Sequence, residues 1–143
     1  MADPNQARLD SLRARRMPDF DLGDDFLYPH YEGSTILNLA STIGNGRDAG
    51  PLGSPPLQAE LLAGLGERYR QVILVLVDAL AYARLLKWKD EDDTSVWGAL
   101  AEVGSLVPLT SISPSTTSAA LTTFWTGQPP ARHGITGYET WLK

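Results

Sequence analysis

The chain has 143 residues, of which 43% are hydrophobic and 20% charged, a usage that supports one packed domain or part of one and excludes an intrinsically disordered chain. A net charge of −5 provides no broad cationic surface for a phosphate backbone, so nucleic acid is not an expected partner. With no cysteine, disulfides and thiolate metal sites are excluded, and any metal must be held by oxygen and imidazole.

In chain order, Met1 to Arg16 is polar and arginine-rich with no apolar run behind it, which does not suit a secretory signal. The longest strongly apolar stretch, Val72 to Val77, is too short to span a bilayer, so no membrane partner and a cytoplasmic location are expected. Residues 1–25 read as a polar, partly ordered N-terminal segment: Gln6 to Arg16 has helical character, and Asp19, Asp21, Asp24 and Asp25 form a solvated acidic cluster without calcium-loop spacing. Residues 26–143 read as the folded portion.

After Ser34 an apolar rhythm to Ile43 predicts a short helix capped by Ser or Thr, and His30 falls in a Pro-flanked aromatic loop. Gly44 to Pro56 is a Gly- and Pro-rich loop, and Leu57 to Leu65 predicts a helix stopped at Gly66. Gln71 to Val77, followed by Asp78, suits a strand buried on both faces, as in a parallel sheet. Helices are predicted over Ala79 to Lys89 and over Thr94 to Val103, the latter capped by Thr94 or Ser95. Ser105 to Ser111 then suits a second strand and Thr116 to Thr126 a helix. Strand, helix, strand, helix predicts an α/β domain with a mainly parallel sheet flanked by helices, whose ligands gather at the strands' carboxyl ends.

That topology singles out two features. Asp78 ends the first strand, where a carboxylate serves as a metal ligand or as the cap of the helix beginning near Ala79. The hydroxyl cluster Ser113-Pro114-Ser115-Thr116-Thr117-Ser118 lies between the second strand and its helix, and suits either phosphate or an ordinary Ser/Thr cap. A hydroxyl becomes a useful nucleophile only when a base or metal activates it, and Asp78 is placed to share one site with the cluster. Gly64-Leu65-Gly66 and Gly44-Asn45-Gly46 do not follow a strand and lack the context of a dinucleotide fingerprint.

Val75-Leu76-Val77-Asp78, followed by Ser113-Pro114-Ser115-Thr116-Thr117-Ser118, then Thr126-Gly127 and Arg132-His133-Gly134-Ile135, resembles the type I phosphodiesterase/nucleotide pyrophosphatase branch of the alkaline phosphatase superfamily. The specific part of the resemblance spans residues 72–138, and Tyr28 to Ile43 carries a weaker one.

The resemblance implies an alkaline-phosphatase-like α/β catalytic domain and hydrolysis of a small-molecule phosphate ester or nucleotide through a phospho-threonine. It implies two divalent metal ions, zinc or manganese. In that family the strand-end Asp binds a metal, and the nucleophilic Thr lies three residues after a Pro and ten before the Gly of a Thr-Gly pair. Asp78 and Thr117 match, whereas Thr116 and Ser118 each miss both spacings by one. The carry-over makes Thr117 nucleophile and metal ligand, Asp78 metal ligand, and Ser118 a substrate contact. His133 also has a counterpart there, although a lone His beside Gly is more often structural.

The chain departs from the family at three positions. Ala79 stands where the strand motif often has Gly, and Ala119 and Ala120 stand where nucleotide pyrophosphatases carry Pro and a phosphate-holding Asn. The sulfatases of the same superfamily need Cys or Ser as nucleophile, with Pro and Arg two and four residues on, a pattern that Thr117, Ala119 and Leu121 do not meet.

Two metals require about six ligands, mostly Asp and His. The chain has two histidines, so the remaining ligands are expected beyond Lys143, and this portion by itself is expected to be inactive. Three readings stand: a phosphodiesterase-like hydrolase, a phosphomonoesterase of the same superfamily, and a non-catalytic α/β module that binds an anion or protein. An exposed sheet edge is expected to favour self-association.

Overall fold

A computed structural model describes residues 4–50, 52–92 and 95–139. Helix α1, Pro4–Ala14, overlaps the helical stretch expected over Gln6 to Arg16 and is shifted two residues towards the N-terminus. It is docked by Leu12, only 5% exposed, and by Arg8, whose Nη2 donates to Ser34 Oγ at 2.8 Å and to Gln58 Oε1 at 3.1 Å.

The predicted helix after Ser34 forms as a 3-10 turn, Ile36–Asn38, running into α2, Leu39–Gly46. Thr35 caps it: its hydroxyl accepts from Leu37 N–H, and Asn38 Oδ1 accepts from Thr35 N–H at 3.0 Å. Asn38 is fully buried and also donates to the carbonyls of Tyr31, 3.2 Å, and Pro55, 3.0 Å. Ser41, Thr42 and Ser54 bind the following loop in the same way, so side-chain hydrogen bonds take the place of regular backbone pairing.

The helix predicted over Leu57 to Leu65 shrinks to one 3-10 turn, Ala59–Leu62. Gly64 at φ +86 is incompatible with a continuing right-handed helix, and the Gln58 side chain is engaged with Arg8 and the Glu32 carbonyl rather than capping.

The next helices are α3, Tyr82–Glu91, and α4, Val96–Val103. Ser95 caps α4 by accepting from Gly98 N–H at 3.2 Å; Thr94, the other predicted cap, lies outside the described residues. Then come α5, Thr117–Thr126, and the short α6, Pro130–His133. No helix among the described residues is long and apolar enough to cross a membrane.

The expected alkaline-phosphatase-like α/β architecture is not what the chain adopts. Among the described residues there is no sheet; pairing is confined to two isolated bridges, Met17 with Phe20 and Thr35 with Thr110. Gln71 to Val77, expected as a doubly buried strand, joins no ladder, and its apolar side chains are 40–79% exposed. Ser105 to Ser111 contributes only the parallel bridge at Thr110. The physical reason is that an apolar strand is stabilised by ladder partners on its edges and cover on both faces, and no described segment pairs with this run. Helices, whose backbone bonds close within one segment, form at most of the expected places, the one over Leu57 to Leu65 excepted.

The buried cluster that does form joins Leu37, Ile112 and Ala119, with Tyr31, Ile36 and Ala120 packed against it. It ties the 3-10 turn after Thr35 to the first turn of α5.

Candidate functional site

Thr117 is the first residue of α5, and the segment before it is held by the chain's early part. Ile36 N–H donates to the Thr110 carbonyl at 3.1 Å, Thr110 N–H donates to the Ser34 carbonyl at 3.0 Å, and His30 N–H donates to Thr110 Oγ1 at 3.0 Å. Ser113 N–H donates to the Tyr31 hydroxyl at 3.1 Å, and the Ser113–Pro114 bond is cis. The chain thus reaches Thr117 along a path set by residues some 80 positions upstream.

The other end of α5 explains the motif's spacing. Gly127 caps the helix in the left-handed conformation, φ +62, with its N–H donating to the Thr123 carbonyl at 2.9 Å. A Cβ on it would run into the Leu52 carbonyl oxygen, so only glycine fits. Ten positions from Thr117 to Gly127 is therefore one helix, from first residue to cap.

Asp78 meets this helix start. The Thr117 hydroxyl points at Asp78 Oδ2 from 3.4 Å, across 39 positions of sequence. That length makes it a juxtaposition rather than a strong hydrogen bond. Asp78 Oδ1 accepts from Ala79 N–H at 2.9 Å. Ala79 itself has φ +58, the left-handed conformation in which a Cβ is strained and glycine is not.

That turn argues against the cap reading of Asp78. A left-handed residue cannot begin a right-handed helix, so α3 starts at Tyr82 with Ala81 as its cap residue, and Asp78 caps nothing. Its carboxylate and the Thr117 hydroxyl are both exposed on a cleft of about 490 Å³. The cap residue of α5, Thr116, makes no side-chain cap bond.

The neighbouring hydroxyls are differently placed. Ser118 donates to the Gly137 carbonyl at 2.6 Å and lies 3.5 Å from Thr116 Oγ1, turned towards the C-terminal turn rather than the cleft. His133 Nδ1 accepts from Ile135 N–H at 3.1 Å, so Nε2 carries the proton and faces Thr123 Oγ1 at 3.0 Å. Both ring nitrogens are thus occupied, Nδ1 by the turn after α6 and Nε2 in joining α6 to the buried Thr123.

Asp78 and Thr117 are two adjacent oxygen donors, which fits part of one divalent ion's shell. No group of three or more His, Cys, Asp or Glu among the described residues is arranged to hold a metal ion. The acidic residues near the N-terminus are engaged in ordinary local contacts: Asp21 accepts from Gly23 N–H at 2.8 Å and Asp24 pairs with Arg16 at 2.8 Å. The upstream partners of the Thr117 segment, Tyr31, Ser34 and Thr110, were not singled out from sequence. Polar residues inside an aromatic, Pro-flanked segment were the only signal there.

A family model described as type I phosphodiesterase / nucleotide pyrophosphatase matches residues 72–143, half of the chain, and includes Asp78, Thr117 and Gly127. No curated protein and no solved structure matches the chain.

Proposed function

The chain belongs to the type I phosphodiesterase/nucleotide pyrophosphatase family, and from that premise we propose that it contributes Thr117 as nucleophile and Asp78 as metal ligand to a metal-dependent phosphate-ester hydrolase. The family match itself supports hydrolysis of the phosphodiesterase or pyrophosphatase type. The finer reading is carried by one observation, the meeting of the Thr117 hydroxyl and the Asp78 carboxylate at 3.4 Å beside a cleft.

In the proposed reaction, Thr117 Oγ bonds to phosphorus while the bond from phosphorus to the ester oxygen breaks. The hydroxyl proton leaves towards Asp78 Oδ2, which it already faces, and the departing alkoxide takes a proton from water. Water then bonds to the phosphorus of the phospho-threonine, the bond to Oγ breaks, Thr117 Oγ takes back the proton held by Asp78, and the proton released by the attacking water neutralises the hydroxide left by the first step. A zinc or manganese ion held by Asp78 and Thr117 would, when bound, lower the hydroxyl's pKa and offset charge on the phosphoryl oxygens.

The test, made in the full-length protein, is turnover of bis-p-nitrophenyl phosphate and p-nitrophenyl phosphate with added zinc or manganese, in the wild type, Thr117→Ala and Asp78→Asn. Both substitutions are expected to lower turnover by at least about 100-fold, the scale of losing a nucleophile or its electrostatic partner. Undiminished turnover in Thr117→Ala would overturn the assignment.

A non-catalytic module that binds an anion or a protein is the second reading. It is favoured by the exposed apolar run Val72 to Val77, a surface suited to a partner or a second copy. A folded chain that binds phosphate and turns over neither ester would favour it.

A further inference from the structure

The lining of the cleft beside Thr117 is of two chemical kinds. Of its thirteen lining residues, the four polar ones are Asp78, Ser111, Ser115 and Thr117, while the other nine are apolar and none carries a positive charge. Leu80, Ala120, Leu121 and Phe124 continue directly from the reacting pair, on the turn after Asp78 and along α5. Ala120 stands where the resemblance places a phosphate-holding Asn, so its methyl group extends the apolar wall.

A nucleotide's sugar, base edge and second phosphate all carry polar groups, and each loses water on entering a cleft without finding a partner on such a wall. An aryl or alkyl group loses little and removes apolar surface from water. At about 490 Å³ the cleft has the volume of a small-ligand site.

Resting on the phosphate-ester reading above, we infer that this site takes phosphate esters whose organic group is apolar, aryl or alkyl, in preference to nucleotides. The phosphoryl group lies at Thr117 and Asp78, and the apolar group lies against Leu80, Ala120 and Leu121.

Binding tests this without requiring turnover. The full chain, isotopically labelled and supplied with zinc, is titrated with phenyl phosphate, adenosine monophosphate and inorganic phosphate while amide shifts are followed by NMR. Phenyl phosphate is expected to bind roughly tenfold tighter than either of the others, which is the worth of removing about one small apolar group from water. Its additional shifts should fall at Leu80, Ala120 and Leu121. Leu80→Lys, a partly exposed position that tolerates charge, should abolish the preference for the phenyl group. Equal or tighter binding of adenosine monophosphate, or phenyl phosphate no tighter than phosphate, overturns the inference and leaves the phosphate-ester reading standing. A folded chain that binds none of the three anions overturns that reading and the inference with it.

Discussion

Replacing Gly127 with alanine separates two costs that a helix-capping glycine can carry. The first is conformational: alanine in the left-handed region loses about 1–2 kcal/mol, partly offset by about 0.4–1 kcal/mol from a less flexible unfolded chain. The second is steric. The new Cβ would overlap the Leu52 carbonyl oxygen and lie 2.9 Å from its carbon, so the Leu52 backbone must retreat by roughly an ångström. Leu52 is pinned on both sides by Ser41, whose Oγ donates to its carbonyl at 3.0 Å and accepts from its N–H at 2.9 Å. Each of these bonds is worth about 1 kcal/mol, and the fully buried Ser41 hydroxyl keeps the Ser54 carbonyl as a partner when they are lost, so no stranded polar group adds to the cost.

The expected loss for Gly127→Ala is therefore about 2–4 kcal/mol, a large share of an ordinary domain's stability. Gly134 is the matched control, since it caps α6 with φ +78 and has nothing within 4 Å of a built Cβ. Gly134→Ala should cost about 1 kcal/mol, the conformational part alone. Urea unfolding followed by tryptophan fluorescence measures both, with equal m values required for the comparison. If the two variants lie within about 0.5 kcal/mol of each other, the close approach to Leu52 is not what requires glycine in the motif.

Ala79→Gly should stabilise the chain by about 0.5–1 kcal/mol, because relief of the left-handed strain exceeds the added freedom of the unfolded chain. Unfolding below the wild-type urea midpoint would contradict that. Asn38→Ala strands the Tyr31 and Pro55 carbonyls and the Thr35 N–H, and should cost about 2–4 kcal/mol, measured by the same unfolding curves. A loss under 1 kcal/mol would show that the loop re-pairs without it.

Glu32 gives a pH dependence. Burial works to raise its carboxyl, but its own backbone N–H, the Arg15 guanidinium at 2.9 Å and His30 outweigh that and hold it below the usual carboxylate range. A lowered folded-state pKa contributes stability above the unfolded value near 4.3, and that contribution is lost as pH falls through the folded value. The carboxylate is largely exposed, so the contribution is at most about 0.5 kcal/mol. Comparing the wild type with Glu32→Gln at pH 6 and pH 3, the stability gap should close at the lower pH; a gap that widens would reverse the sign.

Local chemistry was legible in the chain itself. The helices near the N-terminus, after Ser34, after Ala79, after Ser95 and at Thr117 follow from caps, apolar spacing and glycine stops, all of which act within a few residues. The site pair was legible too. Asp78 closes an apolar run, and Thr117 is distinguished from neighbours of the same chemistry by its distances to Pro114 and Gly127, the second of which is the length of α5.

What only the tertiary structure decided is everything that depends on a distant partner. A run such as Val72 to Val77 specifies readiness to pair but not a neighbour, so the expected sheet did not follow from it. The buried polar network around Asn38 and Ser41, the hold of Tyr31 and Thr110 on the segment before Thr117, and the clash that reserves Gly127 for glycine each join residues far apart in sequence. A hydroxyl and a carboxylate can be named from their spacing. Their meeting at 3.4 Å requires the chain to fold back across 39 positions, with the long-range contacts around α5 fixing where it returns.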